Sequence, residues 1–159
     1  MSEILIKNLN FTDVLPVWEN KLWPGRDSPI EPMSAMIWPT DTSQTEYDTS
    51  IFYSYEASFW GAFHGNKLIA VNSGHQTSPA EFRSRGIWVD SNYRRQGIAQ
   101  ILLGLADDCA IKLGCSMIWS MPRISALGAY EKHGFVTQGK AFKTETSDQN
   151  IYVRKALRY

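Results

Sequence analysis

Short apolar blocks alternate with polar ones along the chain, and their spacing predicts an alternating order of strands and helices. Apolar runs bounded by turn residues are typical of strands. The predicted strands are residues 3–7, 58–64, 67–71, 82–89, 115–121, 135–144 and 151–157. Gly65-Asn66 separates the second run from the third, which is typical of a β-hairpin. A polar turn near residues 148–150 joins the last two runs.

Two longer stretches have the apolar spacing of a helix with one buried side. Asp13 is predicted to cap the first helix, with Pro16 tolerated in its first turn. Its apolar positions are Val14, Leu15, Trp18 and Leu22. The second helix ends at Gly114, and its apolar positions are Ile98, Ile101, Leu102, Leu105 and Cys109. Between these helices, residues 26–50 contain three prolines and predict loops with one short helix near residues 33–38.

The segment that opens the second helix predicts an anion site. Its sequence is Arg94-Arg95-Gln96-Gly97-Ile98-Ala99, and it follows a short strand at residues 86–89. The first N–H groups of a helix lack intrahelical partners, and the helix dipole adds positive charge there. Gly97 and Ala99 let a bulky anion approach the backbone, and the two arginines add charge, so a diphosphate is the expected occupant. The segment lacks the Gly-Lys-Ser/Thr of the P-loop and the three glycines of the dinucleotide fingerprint.

A second segment, about 35 residues later, runs Ala126-Leu-Gly-Ala-Tyr130-Glu-Lys-His-Gly134-Phe135 and predicts a short helix closed by a glycine. Together the two segments resemble motifs of the GNAT superfamily of N-acetyltransferases. The first is similar to its Arg/Gln-x-x-Gly-x-Gly/Ala loop, which binds the pyrophosphate of acetyl-coenzyme A. The second is similar to its A-x-x-x-Tyr-Glu-Lys-x-Gly-Phe segment. The resemblance covers residues 86–139 well and the N-terminal half only in outline.

The resemblance implies a fold, a cofactor and a set of site residues. The fold would be a single α/β domain over residues 1–159, with a central mixed, mostly antiparallel twisted sheet flanked by helices. The cofactor would be acetyl-CoA, with its pantetheine arm beside the strand before the loop. The cofactor-binding residues would be Ile87, Trp88, Val89, Arg94, Arg95, Gln96, Gly97, Ile98, Ala99, Gln100 and Arg123. Tyr130 would be the general acid that protonates the departing thiolate, since a phenol is protonated at neutral pH.

Two departures from the family pattern concern the chemistry. Many relatives have an asparagine seven residues before the tyrosine, where this chain has Arg123, which could reach a phosphate or the pantetheine amide or be solvated. Relatives often have a glutamate base in the strand before the loop, where this chain has Arg83 and Arg85, interpreted as solvated charges. The candidate bases are Glu81, His75 and Glu56, each of which could instead be a solvent-facing polar residue, and a chain of waters is the alternative base.

Composition narrows the class of partner. Lys and Arg together number 16, as do Asp and Glu, so no basic excess favours nucleic acid. The three histidines have no metal-ligand spacing, and we expect no metal; the two cysteines are expected to be free thiols. Charged residues near the start exclude a signal peptide, and no apolar run approaches a membrane span, so a cytoplasmic protein without membrane contacts is expected.

The acceptor is the least constrained part of the prediction. The loop after the first helix is rich in aromatic residues, which could stack on a cationic amine but are mostly interpreted as core. These are Trp23, Trp38, Tyr47, Phe52, Tyr53 and Tyr55. A small-molecule primary amine is the first expectation, reached by direct transfer in a ternary complex; a protein N-terminus or lysine is the second. The alternatives are a non-catalytic acetyl-CoA sensor or interaction module, and a nucleotide-binding protein. The protein would be a monomer or homodimer.

Overall fold

The computed structural model describes residues 3–143 and 149–157, and these residues form nine strands and four α-helices. The strands are β1 (Ile4–Leu9), β2 (Met36–Ile37), β3 (Glu46–Tyr47), β4 (Ser58–His64), β5 (Lys67–Ser78), β6 (Glu81–Val89), β7 (Met117–Ser120), β8 (Val136–Lys143) and β9 (Gln149–Ala156). The helices are α1 (Phe11–Val17), α2 (Ile51–Ser54), α3 (Ile98–Lys112) and α4 (Leu127–Lys132). Short 3₁₀ turns precede α3 and α4.

Seven of the strands form one sheet in the order β1-β4-β5-β6-β7-β9-β8, and β2 pairs with β3 separately. Every neighbouring pair in the large sheet is antiparallel except β6 with β7, which is parallel. The predicted mixed, mostly antiparallel sheet flanked by helices is therefore confirmed. The predicted hairpin is also present as β4 and β5, although β5 continues to Ser78.

The sheet has a helical layer on each face. The larger core lies under α3 and α4, where Leu102 and Ala106 pack with Phe82 of β6. The smaller core lies on the opposite face, where Val14 and Trp18 pack with strand residues of β4 and β5. Because side chains alternate between the faces of a strand, consecutive residues of β6 project into different layers.

The buried face of α3 differs from the predicted stripe. The buried residues are Ile98, Leu102, Leu103, Ala106 and Ala110. Ile98 and Leu102 were predicted, but Ile101 is 49% exposed, and Leu105 and Cys109 are only half-buried. The small alanines at i+4 spacing face the sheet and let the helix approach it closely, which moves the larger apolar side chains to the edge.

The first helix begins and ends differently from the prediction. Asn10 is its N-cap, and the Asp13 carboxylate accepts the Asn10 N–H at 2.9 Å, so Asp13 completes a capping box instead of capping the helix. Pro16 lies in the second turn and supplies no N–H. A five-residue π-helical turn, Trp18–Leu22, follows, closed by a 2.8 Å bond from the Trp23 N–H to the Trp18 carbonyl.

The segment after this turn contains strands where a helix was predicted. Residues 36–37 are extended in β2, and the short helix α2 lies at residues 51–54. Pro39 disfavours helical backbone at Trp38, and Met36 and Ile37 pair with Tyr47 and Glu46 of β3. Tyr47, Phe52 and Tyr53 are exposed rather than core, with Tyr53 91% exposed.

The last predicted elements are present with shifted ends. β7 begins at Met117, so Cys115 lies before the strand rather than in it, and both cysteines are free. Gln149 and Asn150, which were predicted to form a turn, belong to β9. Asp148 lies outside the described residues, as do residues 144–147.

Candidate functional site

The sheet opens between its two parallel strands. β6 pairs with β7 only over Glu81, Phe82 and Arg83, after which β7 ends at Ser120 while β6 continues to Val89. Where the pairing stops, the Ser120 hydroxyl donates to the Ser84 carbonyl at 2.7 Å. Beyond Ser84, no described strand pairs with the edge of β6 that faces β7. An extended ligand can therefore pair with this edge through backbone hydrogen bonds.

A β-bulge re-aims β6 at the opening. Val71 of β5 pairs with Trp88 and Ser73 pairs with Arg85, so two residues of β6 lie opposite one of β5. The first of the two, Gly86, has a φ of +77°, which favours glycine. The Trp18 indole donates to the Gly86 carbonyl at 2.9 Å. The π-helical turn that carries Trp18 therefore supports the bulge directly.

A cleft lies at this opening and is lined by residues from both faces of the sheet. The volume of the cleft, including the open solvent at its mouth, is about 460 Å³. Leu22, Trp23, Arg83 and Arg85 line it on the face of the smaller core. Ala126 and Tyr130 line it on the face of the larger core, and Gly86, Ile87 and residues 120–123 form its edges. Two ligands could thus meet in the sheet, one from each face.

Tyr130 places a buried phenol in the lining of this cleft. Its side chain is 2% exposed, and its hydroxyl lies 3.4 Å from the Ser120 Oγ. Burial raises the pKa of Tyr130 above its ordinary value of 10.0, with the neighbouring hydroxyls and the Arg83 charge opposing the rise. The phenol is therefore protonated at neutral pH and can donate a proton.

The loop before α3 has the conformation expected of an anion-binding backbone. Gly97 is the N-cap with a φ of +78°, and Arg95 has a φ of +64°, an uncommon value for a residue with a side chain. The first intrahelical hydrogen bond runs from the Ile101 N–H to the Gly97 carbonyl, so the N–H groups of residues 98–100 have no partner in the helix. No atom lies within 4 Å of the Cβ position of Gly97.

A hydrogen-bond network joins this loop to Tyr130. The Gln100 side chain donates to the Ala129 carbonyl at 3.0 Å and lies 3.0 Å from His133 Nδ1. His133 Nε2 lies 2.7 Å from Asp107, which also pairs with Lys155. The first turn of α3 is thus fixed to α4 one residue from Tyr130. The Gln100 side chain is committed to this network, so Gln100 can offer an anion only its backbone N–H.

Arg83 and Arg85 are buried, so their interpretation as solvated charges is wrong. They are 7% and 5% exposed, because the segment after α1 covers the face of β6 from which they project. The Arg83 guanidinium lies 4.9 Å from the Trp119 ring centroid, and Arg85 lies 5.0 Å from that of Trp18. Burial lowers the pKa of Arg83 to about 10 and that of Arg85 to about 9. Both remain charged at neutral pH.

The three candidate bases lie away from the cleft lining. His75 is fully buried rather than solvent-facing; its Nε2 accepts the Ser34 N–H at 3.3 Å and its Nδ1 donates to the Gln76 carbonyl at 3.0 Å. Burial lowers its pKa to about 3, so it is neutral. Glu81 accepts from Ser78 at 2.9 Å, and along β6 it lies roughly 17 Å before Gly86. Glu56 is exposed in the turn before β4.

The predicted cofactor residues divide between the cleft and its surroundings. Ile87 and Arg123 line the cleft. Trp88 packs in the smaller core, and Val89 packs in the larger one and accepts from Arg94 Nε at 3.3 Å. Arg94, Arg95 and Gln96 are exposed in the loop, Ala99 is half-buried, and the Ile98 side chain is buried in the larger core. In the described residues, no group of three potential metal ligands occurs, and no helix is long and apolar enough to cross a membrane.

Comparison with known sequences decides the family. The sequence model of the "Acetyltransferase (GNAT) family" matches residues 23–135, which include β6, the Gly97 loop and Tyr130. The chain belongs to the GNAT acetyltransferase family. No curated protein matches this acetyltransferase. The proposed resemblance and the enzyme class are thereby confirmed.

Solved structures agree with the family fold. A GNAT-family acetyltransferase from Staphylococcus aureus is similar over 98% of this chain and 100% of its own, at 18% identity and a TM-score of 0.65. Ard1 from Thermoplasma volcanium is similar over 98% of this chain and 99% of its own, at 16% identity and a TM-score of 0.64. The ribosomal-protein-S18-alanine N-acetyltransferase from Escherichia coli is similar over 99% of this chain and 96% of its own, at 19% identity and a TM-score of 0.61. At these identities the similarity concerns the fold.

The residues of this GNAT acetyltransferase fit the acyl-CoA that the family uses. The open edge of β6 offers backbone groups to an extended arm, and the open space at Gly97 offers N–H groups to a pyrophosphate. Ser120 was not predicted, because a lone serine in a strand carries no signal of function. One feature of the sequence could have indicated that Arg83 and Arg85 are buried. They alternate with Phe82 and Ser84 in a predicted strand, and the chain also has an aromatic-rich segment that could cover their face.

Proposed function

We propose that this enzyme transfers an acetyl group from acetyl-CoA to the primary amine of a small molecule, directly and within a ternary complex. One observation carries the proposal: where β6 and β7 part, an open strand edge and Tyr130 lie in one cleft lined by residues of both faces of the sheet, and the Gly97 loop follows the end of β6. Acetyl-CoA supplies the activated acetyl group as a thioester.

Backbone groups hold the donor in this proposal. The N–H groups of Ile98, Ala99 and Gln100 bind the pyrophosphate at the start of α3, with Arg94 and Arg95 adding charge from the exposed side. The β6 edge at Gly86 and Ile87 binds the pantetheine arm. An N–H of this edge donates to the thioester carbonyl, where negative charge develops during transfer. Arg123 lines the same cleft and is within the region that the arm occupies.

Two proton transfers accompany the reaction: Tyr130 donates one proton, and water accepts the other. The Tyr130 hydroxyl, which its raised pKa keeps protonated, donates its proton to the departing thiolate. Since Glu81, His75 and Glu56 do not line the cleft, the acceptor amine loses its proton to water.

A panel of primary amines tests the activity. Purified enzyme is incubated with acetyl-CoA and each amine, release of the CoA thiol is followed, and acetylated products are identified by mass. The proposal expects amine-dependent thiol release with a small amine. Acetylation confined to peptide N-termini or lysines would replace the small-molecule acceptor by a protein. Binding of acetyl-CoA without turnover of any amine would favour the non-catalytic sensor.

A substitution at the helix start tests the donor site. We expect Gly97→Glu to abolish most of the rise in Tm that acetyl-CoA causes in the wild-type enzyme, since a bound ligand stabilises the folded state. The carboxylate would lie where the pyrophosphate binds. Thermal unfolding with and without acetyl-CoA measures the effect.

Gly114→Glu is the matched control. Gly114 also has a positive φ, of +82°, has no atom within 4 Å of its Cβ position, and follows the other end of α3, about 22 Å away. Gly114→Glu introduces the same charge and the same backbone strain as Gly97→Glu. An equal loss of the acetyl-CoA response in both variants would contradict the placement of the pyrophosphate.

A further inference from the structure

We propose that the acceptor is an amino carboxylic acid, whose carboxylate binds the guanidinium groups of Arg83 and Arg85 on the face of the cleft opposite Tyr130. This inference rests on the proposed function and names the acceptor class for the same site. No described carboxylate forms an ion pair with either arginine, although the Glu31 carboxylate attracts the Arg85 charge. The site therefore carries two buried positive charges without an ion-pair partner among the described residues.

Of the two arginines, Arg83 gives the stronger evidence for a bound anion. It is 7% exposed, lines the cleft, and neither its Nε nor its Nη1 has a hydrogen-bond partner among the described residues. Its contact with Trp119 holds the guanidinium plane in place but satisfies none of its N–H groups. A buried polar group without a partner is costly. A bound carboxylate supplies an acceptor to one of these two groups.

Arg85 lies two residues along the same face of β6. Its Nη1 donates to the Glu31 carbonyl at 2.8 Å, and its guanidinium packs between the rings of Trp18 and Trp23, at 5.0 and 5.2 Å from their centroids. These contacts fix the side chain, and the Glu31 carboxylate attracts its charge, but no described carboxylate forms an ion pair with it. Arg26 adds to the field, since its charge contributes to lowering the pKa of both buried arginines.

The donor's phosphates do not explain these charges. Arg85 lies four residues before the end of β6, about 13 Å along the strand, and the Gly97 loop begins only after that end. Arg83 is farther still. Both arginines also project from the face of the smaller core, whereas Tyr130 and α3 belong to the other face. The anion they bind therefore enters from the acceptor side.

A carboxylate fits the chemistry of both groups. Guanidinium groups bind carboxylates through paired N–H···O bonds, and the carboxylate offsets the repulsion that two buried cations exert on an incoming ammonium. With the carboxylate on Arg83 and Arg85, the amine of the same small molecule points into the opening between β6 and β7. The transfer forms the amide bond between acetyl carbon and amine nitrogen, breaks the thioester bond, and gives the thiolate the Tyr130 proton.

Matched acid and amide acceptors test this site. The standard amino acids are assayed as free acids and as their amides, with acetyl-CoA, and kcat/KM is compared within each pair. We expect at least one free acid to be acetylated about 100-fold more efficiently than its amide, because the amide leaves the buried charges unpaired. In parallel, the same compounds are titrated in the presence of CoA while tryptophan fluorescence is followed.

Three variants separate a carboxylate site from a structural role. We expect Arg83→Met to lower kcat/KM for the preferred acid about 100-fold and to change that for its amide less than about threefold. A folding defect would lower both. Arg83→Lys keeps the charge and recovers part of the preference. Arg154→Met is the control, because Arg154 also stacks on a tryptophan, Trp38, but is exposed and does not line the cleft.

The outcomes distinguish this inference from the proposed function. Equal use of acids and amides, with acetyl-CoA bound and amines acetylated, overturns the carboxylate site and leaves the acetyltransferase intact. Failure of acetyl-CoA to raise Tm overturns the proposed function. The fluorescence titration then still decides the carboxylate site: acids that bind wild type and Arg154→Met but not Arg83→Met support it, and acids that bind no better than amides overturn it.

Discussion

Replacing Tyr130 by phenylalanine is expected to lower kcat about 100- to 1,000-fold while leaving the affinity for acetyl-CoA within about twofold of wild type. The substitution removes the proton that the thiolate takes and keeps the aromatic ring in its packing against Phe135. Stability should fall by only about 1 kcal/mol, because the hydroxyl interacts with two serine hydroxyls, that of Ser120 at 3.4 Å and that of Ser84, and a typical hydrogen bond contributes about that much. Initial rates at saturating substrates and a calorimetric titration with acetyl-CoA measure the two effects.

Tyr152→Phe is the control for loss of a buried phenol. Tyr152 is fully buried, but its hydroxyl contacts the sulfur of Met36, and it does not line the cleft. We expect wild-type kcat for this variant. A kcat for Tyr130→Phe within about threefold of wild type would show that another group protonates the thiolate. Since burial raises the pKa of Tyr130, the wild-type rate should be retained up to a pH above the ordinary phenol value.

Replacing Gly86 by alanine is expected to destabilise the protein by about 3 to 4 kcal/mol and to lower Tm by roughly 10 °C. An added Cβ would lie 2.4 Å from the Trp18 indole nitrogen, and the φ of +77° is unfavourable for a side chain. Trp18 would have to leave the Gly86 carbonyl, which removes the support of the bulge. Urea unfolding and thermal unfolding measure the loss, and the acetyl transfer rate should fall with it.

Gly65→Ala is the control that separates backbone strain from the clash with Trp18 in the destabilisation by Gly86→Ala. Gly65 has a φ of +63° in the turn between β4 and β5, and no atom lies within 4 Å of its Cβ position. It should cost only the strain of a left-handed residue, about 1 kcal/mol. Similar losses in the two variants would mean that the contact between Gly86 and Trp18 contributes nothing to stability.

The sequence predicted what local chemistry determines. The hairpin of β4 and β5 follows from its turn residues, and the start of α3 follows from Gly97 and the apolar positions after it. The order of the Gly97 loop and Tyr130 was sufficient to indicate the family. The short element at residues 33–38 was assigned wrongly because the effect of Pro39 on the backbone before it was underestimated.

The parts that the sequence did not predict depend on contacts between distant residues. The opening between β6 and β7 exists because β7 ends at Ser120 while β6 continues, a difference in length that no local pattern records. Arginines are exposed in most proteins. Arg85 is buried under Trp18 and Trp23, which follow α1, and Arg83 is buried against Trp119 of β7. The candidate bases could not be placed relative to the cleft before its position was known.

The measurement that tests the central claim most directly is a calorimetric titration of the wild-type enzyme with acetyl-CoA, beside ATP and NAD. The structure predicts one acetyl-CoA site per chain, with ATP and NAD at least about tenfold weaker, a difference of about 1.4 kcal/mol. Neither of them offers an arm for the open edge of β6. Absence of acetyl-CoA binding, or equal binding of all three compounds, would contradict the assignment of the cleft to the acetyl donor.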